Sequence, residues 1–437
     1  MDAIQRGCFN FLWKEVGEES GLVKDRRLAD MCSVAGVGFQ LSSLPIGVER
    51  GWITREDGLA RALSVLRTLA SGRDNRKFGV FLHFVDLDSG GMLPGGRSEI
   101  YSTVDHTLFT AGAMTAAQYF GGEVQAIVDR LIDETNWKAY AVAENGLLSM
   151  GWDPRLERSE APLAKERPSA AGPGGFVWPR WHIASDEERL VYFLAVAAPR
   201  AEYAVDPADY YRLQRTVKRH EDMPPFVVSW NGSAFTYFFA HCWIDYRGLA
   251  ADDPRDFGID GPRVDWFENS RRAMLTQRQR CIEAANRFKT LAPDRWGFAP
   301  CTGADEKGHS AYIVQALRPN LMDHDDWMGG TVAPYAAGSS IMVTPAESMA
   351  ALRAYRALKD NQGRPLLWSD PREGGYGLAD SFNLDQRHVS PDQIAIDAGP
   401  MLLAIENVRS GLIWRLFMSH PVAKRAGEIL RLRPHTS

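Results

Sequence analysis

The sequence predicts an all-α protein whose helices pair in series and close into a ring, with one small β-hairpin. Three observations predict it. About ten to twelve stretches of ordinary helix length follow one another, separated by short loops of Gly, Pro and Asp. Strands do not alternate with helices, which disfavours a doubly wound sheet. No long linker or composition break divides the 437 residues, so 1–437 reads as one domain. Helix count alone does not separate a ring from an open solenoid.

The elements follow in order. Asp2 caps a first helix that carries Ile4, Cys8, Phe11 and Leu12 on one face. Residues 30–46 form a second helix, built on small residues with Leu41, Leu44 and Ile46. Thr54 and Asp57 open a third, ending near Ser71-Gly72. Phe78 to Asp86, followed by Ser89-Gly90-Gly91, reads as the hairpin. Thr103 opens a helix with Leu108, Phe109 and Met114, and 123–136 forms another. The Pro-, Glu-, Arg- and Gly-rich stretch from Asp153 to Gly175 is a candidate surface flap. Asp206-Pro207 places a cap before a first-turn proline. Thr344-Pro345-Ala346-Glu347 reads as a full capping box. Gly399-Pro400 opens an apolar helix through Ile405, Leu412, Trp414 and Phe417, and His420-Pro421 opens the last.

Composition removes several function classes. A net charge of −5 with no basic tract excludes a nucleic-acid partner. No apolar stretch approaches bilayer length, so no membrane partner is expected. No secretion signal is read at Met1-Asp2-Ala3-Ile4; the chain is cytoplasmic as written, or periplasmic or secreted if a leader was removed. The five cysteines show no C-x-x-C pairing and no zinc-like spacing, and read as buried, reduced thiols. No phosphate-binding loop, G-x-S-x-G elbow or H-E-x-x-H motif occurs. No metal and no cofactor is expected. Thirteen Trp and thirteen Tyr leave, beyond the core, rings that can stack on a ligand.

What remains is a spread of carboxylates among tryptophans. The stretch Trp178-Pro179-Arg180-Trp181-His182-Ile183-Ala184-Ser185-Asp186-Glu187-Glu188-Arg189 places acids at a helix start. Ser185 and Glu188 fit Ser-x-x-Glu, which makes Glu188 the reciprocal capping residue. Glu187 is then a solvated first-turn Glu, or a general acid if desolvation or a neighbouring carboxylate raises a pKa that the helix dipole lowers. Asp105 lies in the first turn of its helix, with Glu99 before it and His106 beside it; dipole stabilisation and a site role both remain open. His241 and Asp245 share a helical face at i, i+4 within a run that includes Trp243 and Arg247. They either ligate metal or form a hydrogen-bonded pair lining a cleft. Asp397 stands at a helix mouth, and Glu406, in apolar company, pairs with Arg409 or Arg415 or serves a site. Paired carboxyls and aromatic rings are what glycosidic-bond hydrolysis requires.

With these segments in place, the chain resembles the glucoamylase-like (glycoamylase) domain family, related to the family 144 endo-β-1,2-glucanases and to cyclic β-1,2-glucan synthase domains. The motifs are Pro45-Ile46-Gly47-Val48-Glu49-Arg50-Gly51, Phe81-Leu82-His83-Phe84-Val85-Asp86, and Ser102-Thr103-Val104-Asp105. They continue with Trp243-Ile244-Asp245-Tyr246-Arg247-Gly248, Phe267-Glu268-Asn269-Ser270-Arg271-Arg272-Ala273, and Ile396-Asp397-Ala398-Gly399-Pro400 with Ile405-Glu406-Asn407. The resemblance implies an (α/α)6 toroid and inverting hydrolysis of a β-linked glucan, β-1,2-glucan first. It matches Glu187, Asp105 and Asp397 to the family's acidic positions. The sequence departs from the family at Ser185-Asp186 (usually Tyr-Asn), at His106, at Gly329 (usually Asp) and in a longer 153–180 loop.

The expectation is therefore an oligo- or polysaccharide hydrolase with Glu187 as acid and Asp105 or Asp397 as base, directly or through a relay. Trp181, Trp243 and Trp327 would be sugar platforms. Arg50, His83 and Arg247 would bind hydroxyls, with Glu99, His241, Asp245 and Glu406 also at the substrate. A polysaccharide lyase or sugar epimerase on the same ring, or a non-catalytic glycan-binding protein, is the alternative.

Overall fold

The computed structural model describes residues 1–141, 146–156, 174–177 and 180–435. Its helices are α1 (Asp2–Lys14), α2 (Val34–Glu49), α3 (Arg55–Ser71), α4 (Thr103–Phe120) and α5 (Gly122–Asp133). They continue as α6 (Asp186–Ala195), α7 (Pro207–Tyr211), α8 (Trp266–Glu283), α9 (Pro334–Ser339) and α10 (Pro345–Ala357). The last three are α11 (Ala395–Ser410), α12 (Leu412–Ser419) and α13 (Pro421–Ile429). The chain is mainly helical, with several short strand pairs rather than one hairpin. No described helix is long and apolar enough to cross a membrane.

The packing neighbours form a circuit. α2 packs on α4, and α4 on α6. α6 packs on the 3₁₀ turns Ala234–Tyr237 and Ala240–Cys242. The first of these turns meets α9, α9 meets α11, and α11 returns to α2. α1 packs on α11 and α2, α3 on α2 and α5, α8 on the Ala234–Tyr237 turn, and α10 on α9. One continuous apolar core fills the spaces between, with Leu41, Leu44, Phe109, Met114, Leu402 and Ile405 buried in it.

α2 and α4 cross at two glycines. A Cβ at Gly112 of α4 would lie 1.9 Å from the Gly38 carbonyl oxygen of α2, so the two backbones touch. α2 and α4 are apolar nearly all round, as buried helices must be.

Short strands join the ends. β1 (Met31–Ser33) pairs antiparallel with β4 (Phe84–Asp86), setting Cys32 opposite Val85. β2 (Arg76–Lys77) and β3 (Val80–Phe81) form a hairpin. Its two turn residues, Phe78 and Gly79, have φ of 51° and 84°, the positive values that match strand twist. The hairpin therefore turns at Phe78-Gly79, earlier than the glycines at 90–91 implied. β5 (Tyr101–Ser102), β6 (Gly151–Asp153) and β7 (Gly175–Phe176) form a three-stranded patch in sequence order. Most of the 153–175 flap lies outside the described residues.

Several helix starts obey their signals and others do not. Thr54 accepts a hydrogen bond from Asp57 N at 3.1 Å, and Asp206 one from Ala208 N at 2.9 Å. Thr344, by contrast, turns its hydroxyl to the Ser340 carbonyl, so the capping box does not form. α11 begins at Ala395, not at Pro400; the proline sits inside the helix and Asp397 in its first turn. His241 and Asp245 do not share a helix. The run from 234 to 248 is a series of 3₁₀ turns, and the i, i+4 argument lapses with it. All five cysteines are buried and unpaired.

Candidate active site

Four helices begin at one end of the fold, and hydrogen bonds stitch their starts together. Ser33, Ser102 and Ser185 cap α2, α4 and α6. Val34 N, at the start of α2, donates to the His83 carbonyl at 3.0 Å, and His83 N donates to Ile100 O at 2.8 Å. Ala395 N, at the start of α11, donates to the Asp25 carbonyl at 2.8 Å. These first turns carry Asp105, Glu187 and Asp397.

Helix N-termini favour the carboxylate by roughly 0.3–1 kcal/mol at exposed positions. Burial outweighs that here. Glu187 is raised to about 8, first by burial and then by the charges of Asp105 and Asp186. Among the described residues no hydrogen bond or ion pair fixes its carboxyl. Glu188 points elsewhere: its carboxylate accepts from Ile183 N at 2.7 Å, two residues before the cap that the Ser-x-x-Glu pattern predicts.

Asp105 is 8% exposed and accepts a short hydrogen bond from Ser102 Oγ. His83 Nε2 lies 3.7 Å from it, and His83 Nδ1 lies 2.8 Å from Glu99. Burial disfavours the imidazolium, but Asp105 and Glu99 outweigh it and raise His83 to about 9. His83 is thus a cation between two acids at neutral pH. Burial also raises Asp105, opposed by the His83 charge. Glu99 holds a φ of 58°, a strained value for a residue with a side chain.

Asp397 is 2% exposed and faces Asp380. Thr302 N donates to one oxygen of Asp380 at 2.8 Å, while Asp380 Oδ1 and Asp397 Oδ2 have no other donor among the described residues. Two buried carboxyls in contact cannot both ionise, so the pair shares a proton. Burial and the neighbouring charge push Asp397 well above its ordinary range. The charge of Asp25 acts on both Asp105 and Asp397 and helps raise each.

Asp186 fixes the start of α6 from behind. It is buried and accepts from Arg189, from His241 N at 3.1 Å and from His241 Nδ1 at 3.0 Å. Burial alone would raise it, yet His241 and Arg189 hold it below its ordinary value. The backbone of Glu187 is thereby anchored through its neighbour.

The structure brings together Glu187, Asp105, His83, Glu99 and the half-buried Trp181, whose indole bonds Thr103. It removes others. Arg50 and Glu406 bind each other through two contacts of 2.9 and 2.7 Å, with Gln5 and Ser410 completing the carboxylate's partners. They sit at the far ends of α2 and α11. Trp243 is fully buried, packs on Phe39 and bonds Ser42, so it is core and not a platform. Trp327 is buried between Phe288 and Phe298. Asp245 pairs with Arg247, which lies 4.0 Å from the Trp414 ring, beyond the C-terminal end of α11. His241 is buried and serves Asp186. Sequence reasoning missed Asp25, Asp186 and Asp380; no local pattern marks them, because their partners are distant in the chain.

Comparison with known proteins follows this geometry. The profile of the Glycoamylase family, described as "Putative glucoamylase", matches residues 180–421. The exo β-1,2-glucooligosaccharide sophorohydrolase (non-reducing end) of Parabacteroides distasonis is 28% identical over 457 aligned residues, 96% of this chain. The chain spans 56% of that relative's length. A Bacteroides caccae protein of the same description as the family has a TM-score of 0.80 at 25% identity, over 99% of this chain and 98% of its own. An endo-β-1,2-glucanase of Chitinophaga pinensis, solved with sophorotriose and glucose, has a TM-score of 0.77 at 23% identity, over 98% and 96%. At that identity the likeness is one of fold.

Proposed function

The chain belongs to the Glycoamylase family, and from that premise we propose that it is an inverting hydrolase of β-1,2-linked glucan. We infer that 1–437 forms one (α/α)6 toroid; the closed circuit of packing neighbours supports this. Glu187 protonates the leaving glycosidic oxygen. Asp105, held beside the His83 cation, activates the attacking water. The Asp380–Asp397 pair, with one proton between two carboxyls, supplies negative charge below the positive charge that develops on the sugar ring.

One observation carries the reading. A carboxyl raised to about 8 by burial and by a neighbouring acid is a proton donor at neutral pH. The substrate class is supported by the printed activities of the relatives. No cofactor enters this chemistry. The test is product analysis on linear glucans of different linkage, by chromatography and optical rotation. Release of β-1,2-linked oligosaccharides with an inverted anomeric centre is expected. Products that absorb in the ultraviolet would make it a lyase, and no products at all would leave a binding protein.

A further inference from the structure

We propose that Tyr312 and Arg26 form a sugar-binding platform beside the Asp380–Asp397 pair, with one glucosyl unit lying on the Tyr312 ring and its hydroxyls bonded by the Arg26 guanidinium. This rests on the hydrolase reading and assigns residues that the sequence motifs do not contain.

Exposure comes first. Among the described residues, Tyr312 is the one aromatic ring that stands among the exposed large apolar side chains, at 44%. Two of the three tryptophans expected to stack on sugar are core, which leaves Trp181 and exposed rings outside that set. Val314, at 37%, and Leu28, at 67%, extend the exposed apolar edge on the two segments concerned.

Placement comes second. Tyr312 lies on the hairpin of Cys301–Ala304 and Ser310–Ile313, directly opposite Thr302. Thr302 N is the donor to Asp380, so the strand that carries Tyr312 is tied to the acid pair. Burial and the charges of Asp397 and Asp25 raise the phenol well above its ordinary range. The side chain is thus partly exposed and within reach of the charge of the acid pair. The phenol stays neutral there and remains a donor.

Arg26 supplies the third observation. Its guanidinium carbon is 5.3 Å from the Tyr312 ring centroid. Its Nε donates to Asp25 Oδ2 at 2.9 Å, which fixes the fork. No acceptor among the described residues takes a hydrogen bond from its Nη atoms, and the side chain is 29% exposed. One face of the ring thus meets a cation, while the remaining surface is open. Sugars present C–H faces to aromatic rings and ring hydroxyls to planar donors. This pair offers both.

The experiment measures calorimetric binding of a linear β-1,2-glucan oligosaccharide to the Glu187→Gln chain, with and without Tyr312→Ala, Tyr312→Phe and Tyr312→Leu. Tyr312→Ala should weaken binding about tenfold, Tyr312→Leu nearly as much, and Tyr312→Phe only slightly. Adding Arg26→Ala to Tyr312→Ala should cost less than Arg26→Ala does alone, because the two act as a unit. With Glu187 intact, Tyr312→Ala should raise KM and leave kcat within about twofold. Melting temperatures should move little, since 44% of the residue is exposed. If wild type cleaves the glucan and Tyr312→Ala binds like its parent, the platform is wrong and the hydrolase reading stands. If wild type neither binds nor cleaves it, both fall.

Discussion

The indole N–H of Trp181 donates to Thr103 Oγ1 at 2.7 Å, tying the segment that enters α6 to the first residue of α4. Thr103 Oγ1 in turn meets the carbonyl oxygens of Ser149 and Met150 at 3.1 and 2.9 Å. Tyr192 OH donates to the Trp181 carbonyl at 3.0 Å and accepts from Leu148 N at 2.8 Å. The start of α4, which holds Asp105, is thereby tied to the segment entering α6 and to Tyr192 within it.

Replacing the acid is the most direct check. Glu187→Gln should lower kcat by about 10²–10⁴-fold with glucan affinity retained, read by initial rates and calorimetry. Near-normal turnover would remove Glu187 from the chemistry.

Rate should fall as pH rises through about 8, where Glu187 gives up its proton. Asp186→Asn removes one of the charges that raise Glu187, and should move this alkaline limb to lower pH. Stability follows the same sign. The folded chain binds a proton on Glu187 that the unfolded chain releases near 4.5, so this contribution is present below 4.5 and is lost as pH rises towards 8. His83, raised from 6.5 to about 9, acts alike: its contribution is present below 6.5 and lost as pH rises through 9. Thermal unfolding of wild type and Glu187→Gln across pH 5–9 (about that window) should show a flatter dependence in the variant.

Asp186→Ala should destabilise the fold by about 3–5 kcal/mol, because it leaves Arg189 buried without its carboxylate and frees His241. Denaturant unfolding measures the loss. At temperatures where the variant is folded, kcat should drop more than KM rises, since the backbone of Glu187 loses its anchor. Equal melting behaviour would mean that the buried network carries no stability.

Glu406→Ala should behave in the opposite way. It strands Arg50 and Gln5 at the far end of the fold, so the melting temperature should fall while kcat and KM stay near wild type. Burial raises this carboxyl, but Arg50, Ser410 and Gln5 outweigh it and hold it low. A change in KM without loss of stability would return Glu406 and Arg50 to the substrate.

Local signals made much of the helical frame legible. Thr54, Asp206 and His420 each mark a helix start with a side chain that accepts from the following turn. Asp105 and Glu187 were legible because each sits in the first turn of a helix that a serine caps. Legibility failed where a distant partner decides. His241 reads as an i, i+4 partner of Asp245, but the backbone turns in 3₁₀ fashion and Asp186 takes the imidazole. Trp243 sits in a polar-aromatic run that suggests a surface, yet Phe39 and Ser42, some two hundred positions earlier (roughly; pairing at such range has no local pattern), bury it. Pro400 reads as a first-turn proline, but the Asp25 carbonyl receives Ala395 N and starts the helix earlier.

The contact between Gly38 and Gly112 has an outcome beyond packing. Gly112 lies about two turns along α4 from Asp105, at a crossing where the two backbones leave no space for a methyl group. A carbon added there would force α4 and α2 apart, and Asp105 rides on α4. The placement of Asp105 thus answers to two positions that have no side chain.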